Sequence, residues 1–514
     1  MLASSPMSTT DKADWKILEL GAAGETSTSE AELSDRALRL ATVLGDLGVG
    51  AGDRVCYMME NCIPIFEIIS ACQMSGIYPV PINYHFKSEE AGYILADSGA
   101  KALIATGSYS AMAAEAAAGI DTLAGRCLVV RGQQDGFLSY DDALTDTSQR
   151  SSDALPSPGV VIYTSGTTGN PKGVMREAYS PDALELLVRM FTEQIGFGPD
   201  TVHLVSGPLY HSAPNAFASV CLLLGGRLVV MGKYDSERLL ETIERYKVTN
   251  AHLVPTMMHR LLALPEEVRS RYDLSSLKNV QHAAAPCPPK TKEAMIEWWG
   301  PVIEEYYGST ESGINTYIRS EEALRKPGSV GRVIEGMSLA IFDDKGDECG
   351  PGEVGDVFIG SPFSKTFQYH GDPEKRGKSV KHDMFTNGDM GYLDEDGYLF
   401  LSDRRADMVI SGGVNIYPAE IEAVLHSHPE IADCAVFGIP DEEWGEALHA
   451  VVQAEPDTGL TLERLKSYCA EHLAGYKVPR SIELADDLPR QPSGKIYKRK
   501  LREPFWQDRE SSIV

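Results

Sequence analysis

An α/β fold, a large body of mostly parallel sheet followed by a smaller C-terminal unit, is what the 514-residue sequence predicts, and three observations carry that expectation. Apolar periodic segments alternate with short β-like runs from about Leu33 to Ala105, the βα alternation of a parallel sheet. After Val330 the texture changes to short strands joined by tight turns, and from Asp407 a smaller unit with its own helices and strands begins. The length and a 43% hydrophobic content allow two or more separate cores.

Taken in order, Ser34 to Gly48 reads as a helix, Arg54 to Met58 as a strand, Pro64 to Ser75 as a helix and Ile77 to Ile82 as a strand. Ala102 to Ala105, Cys127 to Val130 and Arg227 to Val230 continue the strand series. Val160 to Ile162 reads as a buried strand, fed by the Ser- and Pro-rich loop Ser148 to Pro158. Leu339 to Phe342 and Val354 to Ile359 follow as strands, and Asp394 to Gly397 as a hairpin tip. The boundary to the smaller unit falls near Arg404 to Asp407. Beyond it lie helices Pro418 to Ser427 and Leu462 to His472, with strands Cys434 to Ile439 and His449 to Ala454. In such a body, ligands belong at the strand ends.

A formal net charge of −27 opposes polyanions, so nucleic acid and anionic membranes are not expected partners and phosphate binding has to be local. The nine cysteines are dispersed without a Cys-x-x-Cys pair, which fits reduced thiols in a cytoplasmic protein. Met1 to Lys16 lacks a basic segment leading into an apolar core, and the longest apolar stretch, around Ala216 to Val230, is interrupted by Arg227. A soluble intracellular protein without integral membrane association is expected.

The most informative segment is Tyr163 to Val174, in which Thr164, Ser165, Gly166, Thr167, Thr168 and Gly169 precede Lys172. Glycines let backbone N–H groups turn toward phosphate oxygens, the hydroxyls add donors and the lysine adds charge, so the loop should grip ATP. Lys172 precedes a glycine and is followed by no Ser or Thr, which departs from the usual P-loop. A second segment, Glu305 to Gly313, sets Tyr307, which can stack a purine, beside Gly308, Thr310, which can bond a phosphate or carboxylate, and Glu311, which can ligate Mg²⁺. Asp389 can accept ribose hydroxyl protons, with Arg404 offering a guanidinium to the same sugar or phosphate. Lys495 sits on a loop supported by Gly494.

These segments, with Ile410 to Asn415 and Pro492 to Ile496, resemble the adenylate-forming superfamily in its acyl-CoA synthetase branch, in the family's order and over most of the chain. The resemblance implies a large multi-sheet N-terminal adenylation domain, 1–405, and a small mobile α+β lid, 406–514. In its first half-reaction a substrate carboxylate attacks the α-phosphorus of ATP, giving acyl-AMP and pyrophosphate. In the second, the thiol of coenzyme A displaces AMP.

By similarity Lys495 bridges the carboxylate and α-phosphate, Thr310 touches the α-phosphate and Glu311 the magnesium ion. Ala284, Ala285 and Pro286 form the adenine slot with Tyr307, and Asp389 with Arg404 the ribose clamp. After the lid turns, Ser411, Gly412 and Gly413 leave room for the pantetheine arm, while Trp444, Tyr476 and Arg480 serve coenzyme A. His211 aligns with a gate beside the acyl carboxylate. No aspartate stands near it to pair a substrate ammonium, which points to an acid without an α-amino group.

The pattern departs from the family at three places. Ala406 replaces the common hinge Asp or Lys, and His85 and Val478 stand where some relatives carry basic residues for coenzyme A. The wording His282 to Pro288, followed by Trp298 and Trp299, looks like a subgroup acting on fatty, aromatic or bulky steroid-type acids. Alternatives are an acyl-AMP ligase serving a carrier protein, a luciferase-like oxygenase and a non-catalytic nucleotide sensor; a homodimer is left open.

Overall fold

The computed structural model describes residues 15–22, 24–148, 159–164, 171–371, 376–377, 379–404, 407–411, 414–441, 444–456, 458–473, 475–491 and 494–506. Contacts group the chain into two compact units that do not follow its order. One comprises 1–253, 264–281 and 362–378; the other comprises 254–263, 282–361 and 379–514. Among the described residues no helix is long and apolar enough to cross a membrane.

The first unit holds an all-parallel sheet in the order Tyr78–Pro81, Arg54–Met58, Ala102–Thr106, Cys127–Val130 and Leu138–Ser139. Its central strands are continuous apolar runs because both faces are covered; Val55, Cys56, Leu103 and Ile104 are fully buried. Helix Ile63–Met74 is apolar nearly all round and accordingly buried. Helix Glu30–Asp46 starts four residues before the sequence expectation, because Ser29 and Glu32 form a capping box that satisfies its first N–H groups.

A second sheet of this unit pairs Val202–Val205, Arg227–Met231, Asn250–Leu253 and Ile17–Gly21 in parallel, with Gly24–Thr28 antiparallel at its edge. Its third sheet is antiparallel: Ile162–Thr164, Lys172–Arg176 and Phe367–Tyr369. Here the expected strand Val160 to Ile162 is corrected, for the ladder begins at Ile162 and runs on to Thr164. Register with Lys172–Arg176 selects those residues, and apolarity alone could not.

The second unit is chiefly antiparallel, as the tight turns after Val330 suggest. It contains the hairpin Ile303–Ser309 with Gly313–Ile318 and a sheet built on Ser338–Phe342, Gly355–Gly360, Asp389–Leu393 and Leu399–Arg404. Its C-terminal part joins strands Val409–Ser411, Val414–Ile416, Ile431–Asp441, Gly445–Ala454 and Ser481–Ala485. Helices Pro418–His426 and Leu462–His472 contribute Ile421, Leu425, Leu465 and Cys469 to a core of its own with Val436, Ala450 and Val452.

Candidate active site

In the first unit, strands Ile162–Thr164 and Lys172–Arg176 pair so that Thr164 faces Lys172 across the ladder. The connection between them carries Ser165, Gly166, Thr167, Thr168 and Gly169, which lie outside the described residues. The base of this hairpin is fixed by Tyr163, whose hydroxyl donates to Asp97 at 2.7 Å. Burial, then the Asp97 carboxylate, push the Tyr163 phenol far up, so it stays a donor. A side chain at position 173 would lie 3.0 Å from the Tyr163 ring, and Gly173 leaves that space. The Asp97 partner gave no signal in the sequence, being 66 residues away.

His211, in the same unit, is the N-cap residue of helix Ser212–Leu223 but makes no side-chain capping hydrogen bond. Its ring packs 4.5 Å from Tyr210, which continues through Tyr84 at 5.3 Å to Tyr109 at 5.0 Å. The Nε2 atom is buried with no hydrogen-bond partner among the described residues. Burial lowers its pKa to about 4, which leaves a neutral imidazole at pH 7. The His85 ring lies 4.3 Å from that of Tyr84 at a tilt of 43°, and burial, then Lys233, lower its pKa as well.

In the second unit, the hairpin Ile303–Ser309 and Gly313–Ile318 presents Thr310 and Glu311 at its tip. A hydroxyl network holds that tip. The Ser309 Oγ accepts from the backbone N–H of Glu311 at 3.2 Å and of Ser312 at 3.1 Å, and lies 2.9 Å from the Ser312 Oγ. Asn315 donates to the Ser312 Oγ at 2.7 Å, and Ser361 donates to the Ser312 carbonyl at 3.1 Å. Gly308 is required because a side chain there would strike the Gly313 carbonyl. Sequence reasoning chose Thr310 and Glu311 by their chemistry and missed this serine scaffold, whose signal was the Ser309 and Ser312 spacing.

Behind the tip, the Tyr307 hydroxyl donates to the Asp389 carboxylate at 2.7 Å. Asp389 stands opposite Arg404 in the ladder between Asp389–Leu393 and Leu399–Arg404. The structure thus brings Tyr307 and Asp389 into direct contact and sets the Arg404 backbone beside the latter. Ala284 has φ +74°, a left-handed conformation costing a non-glycine residue about 1–2 kcal/mol. Such strain, in an exposed residue between His282 and the helix Pro289–Trp299, marks the Ala284, Ala285 and Pro286 turn as a backbone shaped for contact. Beneath the turn, Lys292 and Glu305 form a buried ion pair that sequence reasoning missed, with His282 Nδ1 4.0 Å from the carboxylate.

The C-terminal candidates fall into two groups, both in the second unit. Lys495 follows a turn closed by Gly494 N–H to the Gln491 carbonyl at 2.8 Å and Gln491 N–H to the Lys495 carbonyl at 2.7 Å. The other group surrounds strand Gly445–Ala454. Ser411 pairs with Gly445, the neighbour of Trp444, and the Arg480 guanidinium lies 5.0 Å from the Trp444 ring. Tyr476 is exposed in the 3₁₀ turn Gly475–Lys477, close before Arg480 in sequence. Gly412, Gly413 and the hinge position Ala406 lie outside the described residues.

Among the described residues no group of three or more His, Cys, Asp or Glu could hold a metal ion. Glu311 is one carboxylate at the hairpin tip. That fits Mg²⁺, which is commonly held by one or two carboxylates together with substrate phosphates.

The second unit thus carries a strained turn, a tyrosine–aspartate pair and a hydroxyl-rich hairpin. In comparison with known proteins, residues 11–367 match the family described as AMP-binding enzyme, and residues 420–495 match the AMP-binding enzyme C-terminal domain. The chain belongs to this family and is an AMP-forming ligase of the acyl-CoA synthetase class. It is 36% identical over 490 residues to a feruloyl-CoA synthase from Amycolatopsis sp, covering 94% of this chain and 95% of that protein. It is 32% identical to the fatty acid–[acyl-carrier-protein] ligase ScoC of Streptomyces coeruleorubidus, covering 94% and 93%. Among solved structures, the anthranilate CoA ligase AuaEII in complex with anthranoyl-AMP matches with a TM-score of 0.85 at 25% identity, covering 96% of this chain and 94% of that one.

Proposed function

We propose that the protein activates a hydrophobic carboxylic acid, aromatic or fatty, to its acyl-AMP and then transfers the acyl group to coenzyme A. The observation that carries this reading is the Tyr307 to Asp389 hydrogen bond, which joins the Tyr307 to Glu311 segment to the ribose-clamp carboxylate in one place. Aromatic-acid ligases among the relatives support the acid class, and a neutral, buried His211 imidazole suits a site that takes up an apolar acid.

In the first step a carboxylate oxygen attacks the α-phosphorus and the bond to pyrophosphate breaks. Lys495 neutralises charge where the two anions meet, Thr310 positions the α-phosphate, and Thr164, Ser165, Thr167, Thr168 and Lys172 hold the departing phosphates. Glu311 would hold Mg²⁺, whose contribution is to neutralise phosphate charge. In the second step the thiol sulfur attacks the acyl carbonyl, the bond to AMP breaks and the thiol proton passes to solvent. Ser411, Gly412 and Gly413 line the path of the arm, while Trp444, Tyr476 and Arg480 meet the nucleotide end of coenzyme A. Residues 406–514 act as the lid that alternates between the steps, and the setting is cytoplasmic, which the nine free cysteines suit.

Hydroxamate trapping of acyl-AMP across aryl and fatty acids, repeated with coenzyme A, tests the reading. Lys495→Ala is expected to abolish acyl-AMP formation and largely spare thioester formation from supplied acyl-AMP. Equal loss of both half-reactions would remove Lys495 from that role. A carrier-protein thiol as acceptor is a second reading, favoured by the ScoC relative and by the non-basic His85 and Val478. It is supported if acyl-AMP forms normally but coenzyme A fails to consume it.

A further inference from the structure

Gly494, the residue before Lys495, has φ +83°, which only glycine adopts without strain. Its carbonyl accepts two hydrogen bonds of different origin. Arg490 donates one from its own loop at 3.3 Å and is itself anchored on Asp433 at 2.6 Å. The second donor is Thr256 Oγ1 at 3.0 Å, which stands 238 residues earlier in the chain on helix Pro255–Leu262. The approach is close: a Cβ on residue 494 would come within 2.8 Å of that hydroxyl.

A second contact repeats the arrangement. Lys290 Nζ, on helix Pro289–Trp299, donates to the Ser427 carbonyl at 2.8 Å. Ser427 caps the C-terminus of helix Pro418–His426, where an unpaired carbonyl and the helix dipole both favour a cation. Helices Pro255–Leu262 and Pro289–Trp299 pack against each other, so one rigid pair supplies both donors. Each donor reaches a backbone carbonyl, whose position is independent of any side-chain rotamer of the C-terminal segment.

We propose that Thr256 is a positioning residue for Lys495 and that, with Lys290, it forms a releasable latch that holds the lysine loop in place for acyl-AMP formation. The assignment rests on the two-step reading above. Single hydrogen bonds suit the task, since the loop has to let go before the thiol step. One such bond contributes enough to favour the latched arrangement several-fold and too little to trap it.

Thr256→Val keeps the shape and removes the donor. It should slow acyl-AMP formation about three- to tenfold, the net worth of one hydrogen bond, and leave thioester formation from supplied acyl-AMP unchanged or faster. Thr256→Ser should retain the native rate, and Lys290→Ala should show a smaller loss of the same kind. Amide hydrogen exchange of the segment 488–497 without substrates should quicken in Thr256→Val. The latch is refuted if both half-reactions slow alike, or if neither the first step nor the exchange rate changes. Should the native protein form no acyl-AMP from any acid, the functional reading fails, and the exchange comparison still decides whether Thr256 holds the loop.

Discussion

Replacing Tyr307 by phenylalanine isolates one hydrogen bond of the proposed nucleotide site. The ring is 9% exposed and its hydroxyl donates to the Asp389 carboxylate at 2.7 Å. A bond to a charged acceptor is worth about 1.5–3 kcal/mol, and the lower end applies because Asp389 is only half-buried and water can replace part of the loss. About 1.5 kcal/mol corresponds to roughly tenfold. The phenylalanine ring keeps the stacking surface, so the loss should fall on the orientation of Asp389 toward the ribose. The expected result in a pyrophosphate-release assay is a KM for ATP raised about tenfold with kcat nearly unchanged, the pattern of binding lost equally in ground and transition states. A KM within twofold of native, or a fall in kcat alone, would refute the assignment of this pair to the ribose clamp. A melting temperature close to native shows that the fold is intact.

Two further outcomes follow from buried charges. Lys292→Met strands the Glu305 carboxylate, which burial already raises above the usual range, and should cost about 3–5 kcal/mol in urea unfolding at pH 8. The loss should shrink at lower pH as Glu305 takes up a proton, and Lys292→Met with Glu305→Leu should recover most of it. His211 has its pKa lowered from 6.5 to about 4, so the unfolded chain binds the extra proton between those values. Its contribution is present above pH 6.5 and is lost as pH falls, amounting to about 3 kcal/mol at pH 4. His211→Asn should therefore flatten the dependence of stability on pH over that interval, and unchanged slopes would contradict a buried neutral ring.

The sequence made the parallel strands legible because Arg54–Met58 and Cys127–Val130 are apolar runs buried on both faces, where composition and structure coincide. Tyr307, Thr310, Glu311 and Asp389 were picked out for a different reason, the resemblance of their segments to a family's motifs; of these the structure shows the Tyr307 to Asp389 contact. What escaped were facts of pairing. The strand leading to Thr164 starts at Ile162 because its partner does, and Asp97 meets Tyr163 only after the chain has folded. Ala284 carried no sign of its left-handed backbone, since alanine seldom adopts it. Thr256 and Lys290 drew no attention in the sequence, and their partners lie at the far end of the chain.

On the two-step reading proposed above, the same unit also separates contacts that stay from contacts that release. Lys292 and Glu305 are buried side chains, 7% and 5% exposed, and breaking them would leave a charge without water; such a pair holds its turn permanently. Thr256 and Lys290 instead make single bonds to carbonyls that water can satisfy, with Lys290 exposed on its helix surface. The C-terminal segment has its own core around Ile421, Val436, Val452 and Leu465, so it does not need those two contacts to remain folded. A segment with a core of its own can let go as a body. On the two-step reading proposed above, release would break these two hydrogen bonds, so that Lys495 could serve the first step and withdraw before the second.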